Sequence, residues 1–182
     1  MIEVELKGYA DEEIFERVRE KYRLVRREYH KDTYFQHPCR DFSKTDEALR
    51  IRVKRFNGHF EVFMTYKGPK LDKKSKTREE IEVELTDPDK YVEILKNLGF
   101  VEVLTVTKVR EKYYVEKGIS IALDEVENLG KFIEIETLVE DEGEIKEAVE
   151  HLRAILEELG VEHFERRSYL ELLMERYRNG ET

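Results

Sequence analysis

The feature that most constrains this chain is a charge pattern of period two that recurs along it. Glu3, Glu5 and Lys7 alternate with Val4 and Leu6. Arg50, Arg52 and Lys54 alternate with Leu49, Ile51 and Val53. Glu80, Glu82 and Glu84 alternate with Ile81, Val83 and Leu85. Lys108, Arg110 and Lys112 form a further same-side set, Asp124 lies opposite Ile121 and Leu123, and Glu134 and Glu136 lie opposite Ile133 and Ile135. Side chains of a strand point alternately to its two faces, so each segment predicts a strand with one apolar and one charged face. The spacing places strands near 2–7, 30–37, 48–55, 59–67, 79–85, 105–116, 119–126 and 132–138. Asn57-Gly58 predicts a tight hairpin turn and Glu116-Lys117-Gly118 another, so the sheet is expected to be mainly antiparallel.

Helical signals fall between these strands. The segment from Asp11 to Arg27 reads as helical. Asp87 before Pro88 reads as an N-cap and first helical residue, and Gly99 as the stop of that helix. Ile145, Val149, Leu152, Leu156 and Leu159 mark the apolar side of a helix over 144–159. Ser168 and Glu171 have capping-box spacing and open a last helix running to about Arg178. Together these predict one α+β domain over 1–182 with a C-terminal helical segment at 144–178. The pentapeptide Ile2-Glu3-Val4-Glu5-Leu6 recurs as Ile81-Glu82-Val83-Glu84-Leu85, each followed by a helix-like and then a strand-like segment. A half-repeat of 1–80 and 81–138 is therefore expected.

The charged strand face has two readings. In one, it is the solvated side of a half-buried sheet. In the other, the helices cover the apolar face of a curled sheet, and the charges line the inside of a barrel of about eight strands. The sorting of charge favours attention to the second, because some strands carry only cations and others mainly carboxylates. An exposed sheet normally mixes signs so that neighbours pair. Packed acids and bases of this density need metal ions and a polyanion to neutralise them. Carboxylates suit Mg²⁺ or Mn²⁺, and Arg and Lys suit phosphate oxygens.

Composition limits the alternatives. Of 182 residues, 41% are charged and the formal net charge is -9, which argues against a dedicated nucleic-acid binder but allows a local basic pocket. The mixed charges and scarce Asn and Gln resemble a thermophile's ion-paired surface. The single Cys39 rules out an intramolecular disulfide and fits a reducing cytoplasm. No leader and no membrane-crossing apolar run is read, so a cytoplasmic protein without membrane or nucleic-acid partners is expected. The five histidines lack zinc-ligand spacing, and no Walker-type loop, dinucleotide fingerprint or Ser-His-Asp grouping is present. The Lys-rich stretch 68–77, with Lys70, Lys73, Lys74 and Lys76, reads as a loop that either closes over a bound anion or is simply solvated. A homodimer is left open, with no interface to name.

Several blocks in order give the chain a family likeness. Glu3-Val4-Glu5-Leu6-Lys7 resembles the ExExK signature of the CYTH superfamily, the triphosphate tunnel metalloenzymes. The resemblance continues through Asp32-Thr33-Tyr34-Phe35, Leu49-Arg50-Ile51-Arg52, Tyr66-Lys67-Gly68-Pro69, Lys108-Val109-Arg110, Leu123-Asp124-Glu125-Val126 and the run Leu129–Glu136. It closes with Arg167-Ser168-Tyr169-Leu170-Glu171-Leu172-Leu173, similar to the C-terminus of class IV adenylate cyclases.

The resemblance implies an eight-stranded antiparallel barrel, closed or nearly so, with helices packed outside. It implies Glu3, Glu5, Glu134 and Glu136 as metal ligands, with Asp124 near the same metals. It implies Lys7, Arg50, Arg52, Lys67, Lys108 and Arg110 as triphosphate-binding bases, with Lys7, Arg110 and Asp124 closest to the chemistry. Arg78 and either Glu80 or Glu82 are further candidates, and no residue matches an adenine reader. The activity implied is metal-dependent conversion of ATP to cyclic AMP and pyrophosphate. Hydrolysis of tripolyphosphate, thiamine triphosphate or nucleoside triphosphates is the second option, and non-catalytic binding of nucleotide or polyphosphate the third.

Overall fold

A computed structural model describes residues 2–70 and 78–180 of the chain. Eight strands form one antiparallel sheet: β1 (Ile2–Tyr9), β2 (Arg23–Gln36), β3 (Ala48–Phe56), β4 (His59–Lys70), β5 (Arg78–Leu85), β6 (Val101–Glu116), β7 (Ile119–Val126) and β8 (Gly130–Val139). Their order across the sheet is β1-β8-β7-β6-β2-β3-β4-β5. Among the described residues no ladder joins β1 to β5, so the sheet is a curled half-barrel with a seam between its two outer strands. The order maps onto itself when β1–β4 are exchanged for β5–β8, as a duplicated four-strand unit would produce.

Among the described residues five α-helices accompany the sheet: α1 (Glu12–Lys21), α2 (Phe42–Thr45), α3 (Pro88–Asn97), α4 (Ile145–Glu158) and α5 (Tyr169–Arg178). Asp11 caps α1 by accepting from the Ile14 amide at 2.9 Å. Asp87 caps α3, whose Pro88 needs no amide partner in the first turn. Ser168 and Glu171 complete a reciprocal capping box at α5. Asn57 and Gly58 both have positive φ, 47° and 76°, as the tight β3–β4 hairpin requires.

The apolar strand face is the convex one. Val4, Ile119, Ile121, Leu123, Ile133 and Ile135 form a core with Ile14, Phe15 and Val18 of α1 and Leu152 and Leu156 of α4. Phe35, Leu49, Ile51, Val62 and Leu85 form a second core with Leu95 of α3. These helices therefore lie outside, as expected. Helix α5 is placed differently. Its Tyr169, Leu172 and Leu173 pack on Val106, Val126 and Phe132. By strand period these three share the faces of Lys108, Asp124 and Glu134. Helix α5 thus covers one end of the concave face.

A strap leads into α5 along the free edge of β1. The Tyr9 amide donates to the His163 carbonyl at 2.9 Å and the Glu165 amide to the Lys7 carbonyl at 2.8 Å. Gly8 makes this approach possible, since a Cβ there would lie 2.4 Å from Val161 Cγ1. The strap also protects part of an otherwise open sheet edge.

Some boundaries differ from the sequence expectation. Helix α1 ends at Lys21, and Arg23–Arg27 belong to β2 rather than to a helix continuing to Arg27. The Leu24-Val25 and Arg26-Arg27 pairs break strand alternation, and the ladder with β6 shifts register there. Strand β6 begins at Val101, earlier than expected, and the short α2 was not anticipated. Gly68, Pro69 and Lys70 belong to β4, whereas residues 71–77 of the basic stretch lie outside the described residues. No helix among the described residues is long and apolar enough to cross a membrane.

Candidate functional site

The concave face encloses a cavity of about 1430 Å³. Its lining includes Glu3, Glu5, Lys7, Arg50, Arg52, Lys67, Lys108, Arg110, Glu134 and Glu136, carried by β1, β3, β4, β6 and β8. Most of the charged positions read from strand period therefore line one concave space, whereas Glu84 is exposed outside it and Asp124 is buried.

On one wall, carboxylate oxygens of Glu3, Glu5 and Glu136 all come within 4.8 Å of one another. The register explains the cluster, because Glu5 stands directly opposite Glu136 across the β1–β8 ladder. Glu136 also accepts from the Ser120 hydroxyl at 2.9 Å. The Glu3 carboxyl is pushed up to about 7, first by loss of hydration within the curled sheet and then by Glu136, Glu5 and Glu80. Glu3 keeps an open side toward the cavity, but protein walls surround it at longer range. A compact set of hard oxygen donors, one of them held back from ionisation by burial and by its acidic neighbours, fits a divalent cation.

The opposite wall is basic, and its two arginines are held by the buried Asp32. Arg52 grips Asp32 through Nε at 2.7 Å and Nη2 at 2.5 Å, a bidentate pairing. Arg50 approaches the same carboxylate at 3.7 Å. Asp32 is buried against its hydration preference, yet these guanidinium groups hold its carboxyl well below the usual range. Lys67 pairs with Glu80 at 2.9 Å, and Glu82 accepts from Thr65 at 2.8 Å. The Arg78 and Lys70 side chains lie outside the described residues, as do Lys73, Lys74 and Lys76.

Between these walls lies a buried cluster around Asp124. Its Oδ1 accepts from Arg110 Nε at 2.7 Å, and its Oδ2 from Lys108 Nζ at 2.9 Å and the Tyr169 hydroxyl at 2.8 Å. Arg110 also reaches Glu134. Lys108 is lowered to about 8, mainly by burial and then by Arg110, with Asp124 opposing. Asp124 remains below its ordinary range because the Arg110 and Lys108 charges outweigh burial. Asp124 and Glu134 thus stand apart from the Glu3, Glu5 and Glu136 cluster, engaged with cations. Lys7 donates to the Arg167 carbonyl of the strap.

Sequence reasoning missed three contributors. Asp32 was quoted only within a motif, although it shares strand period with His30 and Glu28. Glu28 falls just after the segment Asp11–Arg27 read as helical and before the expected strand at 30–37. His30 Nε2 meets Glu28 at 2.5 Å, with both residues buried. Tyr169 stands in the sequence only as a member of the block Arg167–Leu173, after an N-cap serine, with no role assigned.

The fold and site define a half-barrel whose concave face carries a basic wall and a cluster of carboxylates. Residues 1–169 match the CYTH domain family, and the chain belongs to that family. A protein of Methanocaldococcus jannaschii named as a candidate adenylate cyclase is 43% identical over 177 residues, covering 94% of this chain and 98% of that protein. The solved PH1819 protein from Pyrococcus horikoshii OT3 is 73% identical, with a TM-score of 0.92 over 96% of this chain and 99% of that one. HpAC1 from Hippeastrum, a candidate adenylyl cyclase described as having a dominant triphosphatase activity, has a TM-score of 0.68 at 21% identity, covering 100% of this chain and 96% of that chain. At that identity the likeness is one of fold.

Proposed function

We propose that this chain is a divalent-metal-dependent enzyme acting on a nucleoside triphosphate, with cyclisation of ATP to cyclic AMP and pyrophosphate as its leading reaction. The observation that carries this is the facing of a carboxylate cluster and a basic wall within one cavity. The cyclase names among relatives support the choice of reaction.

Glu3, Glu5 and Glu136 would hold a Mg²⁺ or Mn²⁺ ion, while Asp124 and Glu134 hold the Lys108 and Arg110 cations. Such an ion would neutralise phosphate charge and help orient the reacting oxygen. Arg50, Arg52, Lys67, Lys108, Arg110 and Lys7 bind the phosphoryl oxygens. Their pairing with Asp32, Glu80 and Asp124 fixes them before substrate arrives, so little reorganisation is needed as charge develops. In cyclisation the 3′-hydroxyl oxygen attacks the α-phosphorus and the bond to the bridging oxygen breaks. Pyrophosphate leaves and the hydroxyl proton is released. Lys7, Arg110 and Asp124 are the residues assigned nearest this step.

Hydrolysis is the second reading, favoured by the triphosphatase activity described for HpAC1. Water would then attack a phosphorus, and the same cations would serve. Incubation with ATP, tripolyphosphate or thiamine triphosphate, each with Mg²⁺ or Mn²⁺, separates the two. Cyclic AMP with pyrophosphate is the expected result. Free phosphate alone selects the hydrolase, and tight binding without turnover would overturn both enzymatic readings.

A further inference from the structure

We propose that Tyr169, the first residue of α5, is a positioning residue whose ring sets the ammonium groups of Lys7 and Lys108 for binding phosphate. This rests on the reading of the cavity as a triphosphate site. The Lys7 Nζ lies 4.3 Å from the Tyr169 ring centroid, and the Lys108 Nζ lies 4.8 Å from it. An aromatic face attracts cations at this range, most strongly where water is excluded. Tyr169 and both lysines are buried, with exposures of 8%, 3% and 3%.

The ring is itself fixed from two sides. Phe132 meets it edge-on at 5.0 Å between centroids, and its hydroxyl donates to Asp124 Oδ2 at 2.8 Å. The hydroxyl bond fixes the ring's tilt, while the ring face receives the two lysines. Lys108 donates to Asp124 and Lys7 to the strap carbonyl of Arg167, and the ring meets both ammonium groups. Because Tyr169 belongs to α5, it connects the C-terminal helix to strands β1 and β6 through the phosphate-binding cations.

The two parts of the side chain can be tested separately by titrating tripolyphosphate with Mg²⁺ into wild type, Tyr169→Phe and Tyr169→Leu. Tyr169→Phe keeps the ring, and its dissociation constant should stay within about threefold of wild type. Tyr169→Leu removes the ring, and its dissociation constant should rise by about tenfold or more. In the turnover assay the Leu variant should raise KM more than it lowers kcat. Thermal melts show whether each variant is folded, and Tyr169→Phe preserves a test should the Leu variant unfold, since a tenfold loss there would assign the effect to the hydroxyl and overturn the ring's role. Equal affinity in folded Leu variant and wild type would overturn the proposal while leaving the triphosphate site intact. A wild-type protein that binds no tripolyphosphate would overturn both.

Discussion

Glu5 and Glu136 face each other directly across the β1–β8 ladder, and Glu3 completes their carboxylate cluster. Like charges at directly opposed strand positions destabilise a sheet, so a chain that keeps them here keeps them at a cost. The pairing has a clear physical use if a cation resides between the strands.

That cost should be measurable. Glu136→Gln removes one charge while its amide can still engage Ser120. Without divalent metal, the variant is expected to melt at a higher temperature than wild type, by about 0.5–1 kcal/mol of added stability. Added Mn²⁺ should raise the melting temperature of wild type and leave the variant nearly unchanged. Equal responses in calorimetric melts would remove Glu136 from the cation site.

The raised Glu3 carboxyl predicts a pH dependence with a definite sign. A folded-state pKa near 7 against an ordinary 4.5 means the folded protein binds more protons than the unfolded chain between those values. Metal-free stability contributed by this group should therefore fall as pH rises from about 4.5 to 7. The difference between wild-type and Glu3→Gln unfolding curves isolates it from the other carboxylates. A difference independent of pH would contradict the crowding described here.

Lys108 predicts a limit on the alkaline side. Burial lowers it to about 8, so above that pH a proton must be recovered when a polyanion binds. Tripolyphosphate affinity should weaken by up to about tenfold per pH unit above 8, and Lys108→Met should flatten this limb. Titration calorimetry across pH 7–10 is the check, with an unchanged slope in the variant as the contrary result.

Asp32 holds two arginines in a buried setting. Asp32→Ala leaves Arg50 and Arg52 without their shared carboxylate and should cost about 3–5 kcal/mol of stability in urea unfolding. Tripolyphosphate should restore more stability to this variant than to wild type, because its oxygens replace the missing acceptor. A loss below about 1 kcal/mol, the scale of a surface pair, would show that the pairing is not buried in solution.

Much of this site was legible because strand period is strict. Once Glu3-Val4-Glu5 and Arg50-Ile51-Arg52 were read as strands, their charged faces followed, and the helix stripes indicated which face was covered. Register was not legible. Nothing in the sequence sets Glu5 opposite Glu136 or gathers Lys108, Arg110 and Tyr169 around Asp124, because those neighbours are joined only by long-range pairing and by α5. The start of β2 was obscured where Leu24-Val25 and Arg26-Arg27 break alternation at a register shift, and this hid Glu28 as the partner of His30. The reversal of α5 onto the concave face was hidden for a similar reason. Its Leu172 and Leu173 mark an apolar side without saying which surface that side meets.

The central claim is that one enclosed face binds a triphosphate and a divalent ion together. Reciprocal linkage tests it most directly: measure tripolyphosphate affinity with Mn²⁺ and with chelator, in wild type and in Glu3→Gln/Glu136→Gln. Mn²⁺ should tighten binding to wild type by at least about tenfold and have little effect on the double variant. Equal tightening in both proteins, or no effect of Mn²⁺ on wild type, would contradict the account.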